Sequence, residues 1–136
     1  MTEFMYTGDL REVPISVLAY IGDAVYELRI RLHLCQKSNA KSGALHRETI
    51  KWVRAAAQAA AVDRLLPLLS EAETMIYRRG RNSQPSSIPK NADPADYMAA
   101  TGFEAVIGYL YLKGDQDRLD HLLEEILEDS IDEAKS

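Results

Sequence analysis

Two carboxylates lie in stretches that are otherwise apolar or rich in small residues, and they are the side chains best placed to do chemistry. Asp23 follows Gly22 in YIGDAVYELRIRL, residues 20–32, and Glu104 lies in TGFEAVIGYLYL, residues 101–112. A carboxylate buried alone costs several kcal/mol or takes up a proton, so it usually has a partner. A helix glycine costs about 1 kcal/mol relative to alanine, so Gly22 needs a packing reason.

Close packing of the two stretches would bring these acids together. If Gly22 and the face from Gly102 to Gly108 let two helices approach, Asp23 and Glu104 converge on one divalent cation. A few carboxylate ligands with room for water suit Mg²⁺ or Mn²⁺ better than zinc. The alternative is that each acid pairs with an arginine or faces water.

Helical periodicity predicts the elements that hold the acids. From Val13 to about Leu34, apolar residues recur at three- and four-residue steps, which predicts one long helix. These residues are Val17, Leu18, Ile21, Val25, Leu28 and Leu32, and Leu28 is a candidate core position. Asp93 and Pro94 predict the start of a second acid-bearing helix, which runs to Lys113 and stops at Gly114.

The remaining elements are also predicted to be helices. Ser42 is a candidate N-cap for one helix that continues until Pro67 interrupts it. Ser70 and Glu73 have capping-box spacing, and an acidic helix is expected at about residues 115–134. Because no segment alternates with period two, the fold class is predicted to be all-α. The length of the chain predicts a single domain over residues 1–136.

Charge is divided unevenly along the chain. Residues 121–136 hold six acids and one lysine, whereas residues 29–90 hold twelve Lys or Arg against four acids. Clustered cations favour a polyanionic partner such as nucleic acid, although a solvated charged face is the alternative. The stretch RRGRNSQPSSIPKN, within about residues 78–92, has no periodicity and is predicted to be an exposed, mobile, basic loop.

Cellular location is constrained by what the sequence lacks. No apolar run is long enough to span a bilayer, and the first ten residues carry acids rather than the basic and apolar regions of a secretory signal. The single Cys35 excludes an internal disulfide and cannot form a zinc site by itself. We therefore expect a cytoplasmic protein with no membrane partner.

Four motifs in this order carry a family resemblance: LAYIGDAVYELRIR, RRGRN, PKNAD and TGFEAVIGYLYL. Together they resemble the Mini-III ribonucleases, the branch of the ribonuclease III family that lacks a double-stranded-RNA-binding domain. The match covers nearly the whole chain. The resemblance implies an all-helical, homodimeric, magnesium-dependent endonuclease for double-stranded RNA, with a role in maturing the large-subunit (23S) ribosomal RNA precursor, for which a ribosomal protein can be a helper.

The resemblance also assigns roles to individual residues. Asp23 matches the aspartate that holds the metal ion, and Glu104 matches the essential glutamate ligand. The wider family has two further acids, and Ala19 and Thr101 occupy their positions here. Water or RNA phosphate oxygens would then complete the coordination. Glu27, one turn after Asp23, either assists through a water or is an ordinary surface acid.

Binding surfaces follow from the same resemblance. The basic loop is expected to engage RNA through Arg78, Arg79, Arg81, Asn82 and Lys90. The two-fold interface is expected to contain Tyr20, Ile21, Ala24 and Val25, although burial in the monomer core is a competing account. The rival function is a catalytically weak RNA-binding or ribosome-assembly module, because Ala19 and Thr101 remove half of the wider family's acids.

Overall fold

The computed structural model describes residues 6–37, 41–83 and 87–135, the last eight of these by their backbone alone. Within these ranges the chain forms six α-helices. They are α1 (Ile15–Lys37), α2 (Ser42–Val53), α3 (Ala55–Leu65), α4 (Glu71–Arg81), α5 (Pro94–Lys113) and α6 (Gln116–Lys135), with short 3-10 helices at Leu10–Glu12 and Leu66–Leu68. The predicted all-α class is confirmed.

Helix α5 is the centre of the fold, where it packs against α1, α3 and α4. Most of its residues from Ala100 to Leu110 are buried, as expected for a helix that is apolar on all sides. Asp93 caps it by accepting hydrogen bonds from the backbone N–H groups of Ala95 and Asp96. Gly114 ends it in the left-handed conformation, with φ of 82°. Both predicted ends of this helix are confirmed.

Helix α6 closes the core over α3 and α5 with a row of buried leucine and isoleucine side chains. Phe103 of α5 meets Tyr26 of α1 edge to face, with ring centroids 4.8 Å apart. The Arg118 guanidinium of α6 donates to both carboxylate oxygens of Glu73, at 2.9 and 2.8 Å. Glu73 also completes the predicted capping box with Ser70, so one buried carboxylate joins the start of α4 to α6.

Two predicted boundaries are wrong. The helix expected from Ser42 is in fact two, because Arg54 leaves the helical region with φ of −66° and ψ of 153°. The basic loop expected from about residue 78 begins later, since α4 continues through Arg81. Arg78, Arg79 and Arg81 therefore lie on the last turn of a helix, and residues 84–86 of the predicted loop lie outside the described residues.

The core position expected for Leu28 of α1 is also wrong. Leu18 is buried against α5, but Val17, Leu28 and Leu32 are exposed, Leu28 by 57%. Helix α1 instead has two apolar faces, and the periodicity of the sequence merges them. The exposed face, here called the α1 stripe, comprises Val17, Tyr20, Ala24, Leu28 and Leu32.

In the described part of the chain, no helix combines the length and the apolar character needed to cross a bilayer.

Candidate active site

Helices α1 and α5 approach each other backbone to backbone at two glycines. A Cβ placed on Gly22 would overlap the backbone oxygen of Glu104 and lie 2.8 Å from the backbone nitrogen of Gly108. A Cβ on Gly108 would likewise overlap the backbone oxygen of Leu18. Because Asp23 directly follows Gly22, this contact brings its carboxylate beside Glu104. The predicted approach of the two helices is confirmed at Gly22 and Gly108.

Gly102 has a different neighbour from the one expected. A Cβ at this position would lie 2.7 Å from the backbone oxygen of Tyr77, so Gly102 admits α4 rather than α1. Gly80 is the matching position on α4, since a Cβ there would lie 2.8 Å from the Cα of Gly102. The end of α4 is therefore held close to the segment of α5 that contains Glu104.

The two carboxylates face an open pocket of about 360 Å³. Helix α1 contributes Asp23, α3 contributes Gln58, and α5 contributes Thr101 and Glu104. The other lining residues are Val53, Ala55, Pro89, Ala92, Tyr97 and Ala100. Asp23 is exposed and Glu104 is half-buried. The pocket is therefore open to solvent at Asp23, whereas protein partly encloses Glu104.

Glu104 is held as a weak acid. Burial raises its pKa to about 8, with further contributions from a hydrogen bond shared with Asp23 and from the negative charge of Asp23. A hydrogen bond from Gln58 Nε2 to Glu104 Oε2, at 3.4 Å, opposes this rise. Two carboxyl groups this close resist ionising together, so the pair is electrostatically suited to a cation.

The other positions considered from the sequence, Ala19, Thr101 and Glu27, add no carboxylate to this pair. Ala19 is buried in a small apolar cluster, whereas Thr101 lines the pocket and donates its hydroxyl to the Tyr97 carbonyl at 3.0 Å. Glu27 forms an ion pair with Arg31 at 3.2 Å and is not among the pocket residues. In the described residues, no three or more His, Cys, Asp and Glu side chains group as metal ligands. The protein thus offers two carboxylates and neutral oxygens.

Two exposed cations lie next to the pocket in sequence. Lys90 directly follows Pro89, and Arg54 is flanked by Val53 and Ala55, all of which line the pocket. The sequence predicted Lys90 as an RNA contact but treated Arg54 as a helix interior residue. The extended backbone at Arg54, which nothing in the local sequence signals, lies between two lining residues, a position here called the pocket edge.

The other predicted RNA contacts lie at the end of α4 and do not line the pocket. Arg78, Arg79, Arg81 and Asn82 are exposed. The Arg81 guanidinium lies 5.7 Å from the centre of the Tyr77 ring, and its Nε donates to Asn82 Oδ1 at 3.3 Å. Because α4 contacts α5 at Gly102, next to Thr101 of the pocket wall, this cationic helix end flanks the site.

The residues predicted for the dimer interface fall into two groups. Tyr20 is 76% exposed and Ala24 is exposed, so both are free to contact another molecule. Ile21 and Val25 are half-buried, and Val25 packs against the monomer core.

Comparison with known proteins decides the family. Residues 16–115 match the ribonuclease III domain. The chain belongs to the ribonuclease III family. It is 51% identical to the Mini-ribonuclease 3 of Thermoanaerobacter sp. over 123 residues, which cover 90% of this chain and 87% of that one. Identity to the Mini-ribonuclease 3 of Symbiobacterium thermophilum is 46% over 112 residues, covering 82% and 86% of the two chains.

The fold comparison agrees. The crystal structure of a protein from Fusobacterium nucleatum is similar with a TM-score of 0.82 and 25% identity, covering 91% of this chain and 99% of that chain. The resemblance seen in the motifs is therefore confirmed, and the chain is an endoribonuclease of the ribonuclease III family. The matched residues run from the second residue of α1 past the end of α5, and hence include every residue that lines the pocket.

Proposed function

We propose that this endoribonuclease cuts double-stranded RNA and that Asp23 and Glu104 hold the Mg²⁺ on which cleavage depends. The observation that carries the proposal is the meeting of two carboxyl groups from α1 and α5 in an open pocket, with two exposed cations next in sequence to its lining residues. Substrate phosphates can enter this pocket because one of its carboxylates is exposed.

The donor set fits a hard divalent cation. Both acids offer carboxylate oxygens as ligands. A positive charge between them favours the ionised form of each carboxyl group. The pocket has room for water and phosphate oxygens, which a site with only two protein carboxylates requires. When bound, Mg²⁺, or Mn²⁺ as a substitute, would supply a nucleophilic water at neutral pH and stabilise charge at the phosphorus. Asp23 and Glu104 would hold and orient it.

The surrounding cations suit a duplex RNA. A-form RNA is recognised mostly by its shape, its phosphates and its 2′-hydroxyls across a shallow minor groove. Lys90 and Arg54 at the pocket edge would bind phosphates nearest the cleaved bond, and the end of α4 would bind phosphates further along. The full set is Arg54, Arg78, Arg79, Arg81, Asn82 and Lys90.

We further propose that the chain is one catalytic domain that acts as a homodimer. The interface would use Tyr20, Ala24 and the exposed edges of Ile21 and Val25. A two-fold axis places two sites on one duplex, so each strand is cut once and a short 3′ overhang remains. The substrate proposed from the resemblance is the large-subunit (23S) ribosomal RNA precursor in the cytoplasm, with or without a ribosomal protein as helper.

Cleavage of defined nucleic acids tests the proposal. A perfect RNA duplex, its separate strands and the matching DNA duplex would be incubated with Mg²⁺, with Ca²⁺ and with chelator. We expect cutting of the RNA duplex alone, only with Mg²⁺, and its loss in both Asp23→Asn and Glu104→Gln. Glu27→Gln is the matched control, because this nearby acid pairs with Arg31 instead. Duplex binding without any cutting would favour the RNA-binding module.

A further inference from the structure

Gln58 is a buried polar side chain in the wall of the pocket, 2% exposed and on α3. Among the described residues, the other buried polar or charged side chains are Thr49 and Glu73, which are 3% and 4% exposed, and both have partners. Thr49 donates its hydroxyl to the Leu45 carbonyl at 2.9 Å, and Glu73 accepts from Arg118. Gln58 differs because its Oε1 is buried without a hydrogen-bond partner.

The orientation of this amide is fixed by a backbone carbonyl. Gln58 Nε2 donates to the Val53 oxygen at 2.7 Å. If the amide were turned over, two oxygens would face each other at that distance, which is repulsive, so the group facing Val53 is the nitrogen. The second hydrogen of the same nitrogen is then available to Glu104 Oε2, 3.4 Å away.

The Val53 carbonyl is available because the chain breaks at this point. Val53 is the last residue of α2, and Arg54 departs from helical geometry. Carbonyls in the last turn of a helix lack partners within the helix and need one from elsewhere. Gln58, in the first turns of α3, supplies that donor and is held by it in a defined direction. The break that brings Arg54 to the pocket edge thus also aims the Gln58 amide at Glu104.

We propose that Gln58 is a positioning residue for the cation site. Its amide nitrogen holds the Glu104 carboxylate toward the cation, and its unpaired Oε1 accepts a hydrogen bond from a water of the pocket. Groups that orient a metal ligand in this way strongly affect metal affinity. The inference rests on the proposed function, because it requires Glu104 to be a ligand.

Metal binding by the RNA-free protein is the direct test. Gln58→Met keeps the length and apolar stem of the side chain but removes both polar atoms. By titration calorimetry with Mg²⁺ and with Mn²⁺, we expect an affinity about 10- to 100-fold weaker than that of the parent. In cleavage assays, the Mg²⁺ concentration at half-maximal rate should rise by a similar factor, while KM for the duplex at saturating Mg²⁺ stays within about twofold.

Two controls separate positioning from general stability. Thr49→Val also removes a buried side-chain hydrogen bond, but on α2, and should leave the affinity for Mg²⁺ unchanged. In a Glu104→Gln background, Gln58→Met should cause no further loss of metal affinity, because the ligand it orients is already gone. If Gln58→Met does not fold, as judged by circular dichroism without metal, Gln58→Asn withdraws the amide by one methylene and should weaken binding in the same direction.

A failure of the role of Gln58 and a failure of the cation site give different results. A parent protein that cuts the duplex and binds Mg²⁺, beside a folded Gln58 variant of equal affinity, overturns this inference alone. An equal loss of affinity in Thr49→Val also overturns it. A parent that neither binds Mg²⁺ nor cuts duplex RNA overturns the proposed function and this inference with it.

Discussion

Asp23 and Glu104 are an acid pair in which burial and mutual repulsion raise the pKa of Glu104 to about 8. Below that pH the metal-free protein therefore keeps a proton on Glu104, and a bound cation must displace it. Near pH 6, Mg²⁺ binding should release about one proton per site, whereas near pH 9.5 it should release almost none. Calorimetry in two buffers of different ionisation enthalpy measures this number.

Glu104→Gln removes the titrating carboxyl group, so any Mg²⁺ binding that this variant retains should release no proton and show no dependence on buffer. Heats that are equal in both buffers near pH 6 for the parent would contradict the raised pKa of Glu104.

Sequence alone identifies some residues of the site and misses others. Asp23 and Glu104 were predicted because a carboxylate among apolar and small residues is conspicuous, and their roles came from the resemblance. Gln58 and Arg54 gave no such signal. A glutamine and an arginine in an alanine-rich helical stretch read as ordinary surface residues, whereas the structure buries Gln58 in the pocket wall and breaks the helix at Arg54, between two lining residues.

At the scale of elements, the close contact of α1 and α5 is what sets the site. Gly22→Ala would push a methyl group into the Glu104 backbone, so the helices must separate. We expect a loss of about 1–3 kcal/mol or more in the free energy of unfolding, measured by urea denaturation. Mg²⁺ affinity should fall as well, because Asp23 moves away from Glu104.

Gly43→Ala is the matched control, since a Cβ there meets only the end of the Arg47 side chain at 3.7 Å. It should be neutral or stabilising by up to about 1 kcal/mol. If the two substitutions changed the free energy of unfolding equally, helix propensity, and not the approach of α1 to α5, would explain the effect of Gly22→Ala.

A buried ion pair joins α4 to α6. Arg118 holds both oxygens of Glu73, which is 4% exposed, and also donates to the Leu68 carbonyl at 2.7 Å. Arg118→Ala leaves that carboxylate buried without its cation, which should cost about 3–5 kcal/mol in thermal or urea unfolding. Arg11→Ala, which breaks an exposed pair with Asp9, should leave the free energy of unfolding nearly unchanged, because solvent screens that pair. A small effect of Arg118→Ala would contradict this account.

The elements that sequence predicted well are those with local end signals. The Ser70 capping box, the Asp93 cap and the αL Gly114 each act within a few residues, so the chain specifies them directly. The break at Arg54 has no glycine or proline to signal it and results from how α2 and α3 pack around the core. The start of the basic loop was predicted too early because Gly80 suggested a turn. The structure shows another reason for this glycine, which is the tight packing of α4 against Gly102.

At the scale of the whole molecule, the α1 stripe is an exposed apolar row, whose far end, Leu28 and Leu32, lines an open groove shared with Leu45 of α2. An apolar row on the helix that also carries Asp23 is typical of a protein interaction surface. Periodicity alone could not distinguish this face from the core face, so Leu28 was predicted to be buried although it is exposed. A two-fold contact along this stripe would couple assembly to cleavage, because it sets the spacing of the two sites on one duplex.

A charge placed in the stripe tests this coupling. Tyr20→Glu should convert a parent dimer into a monomer by light scattering and slow duplex cleavage, because an unpaired carboxylate cannot be buried at the interface. Its Mg²⁺ affinity should stay near that of the parent, since Tyr20 does not line the pocket. Met75→Glu, at an exposed apolar residue of α4, should leave the mass unchanged. A Tyr20→Glu variant that remains dimeric would place the two-fold contact elsewhere. A parent that is monomeric at working concentrations would remove that contact, and cleavage of both strands would then require two separate encounters with the duplex.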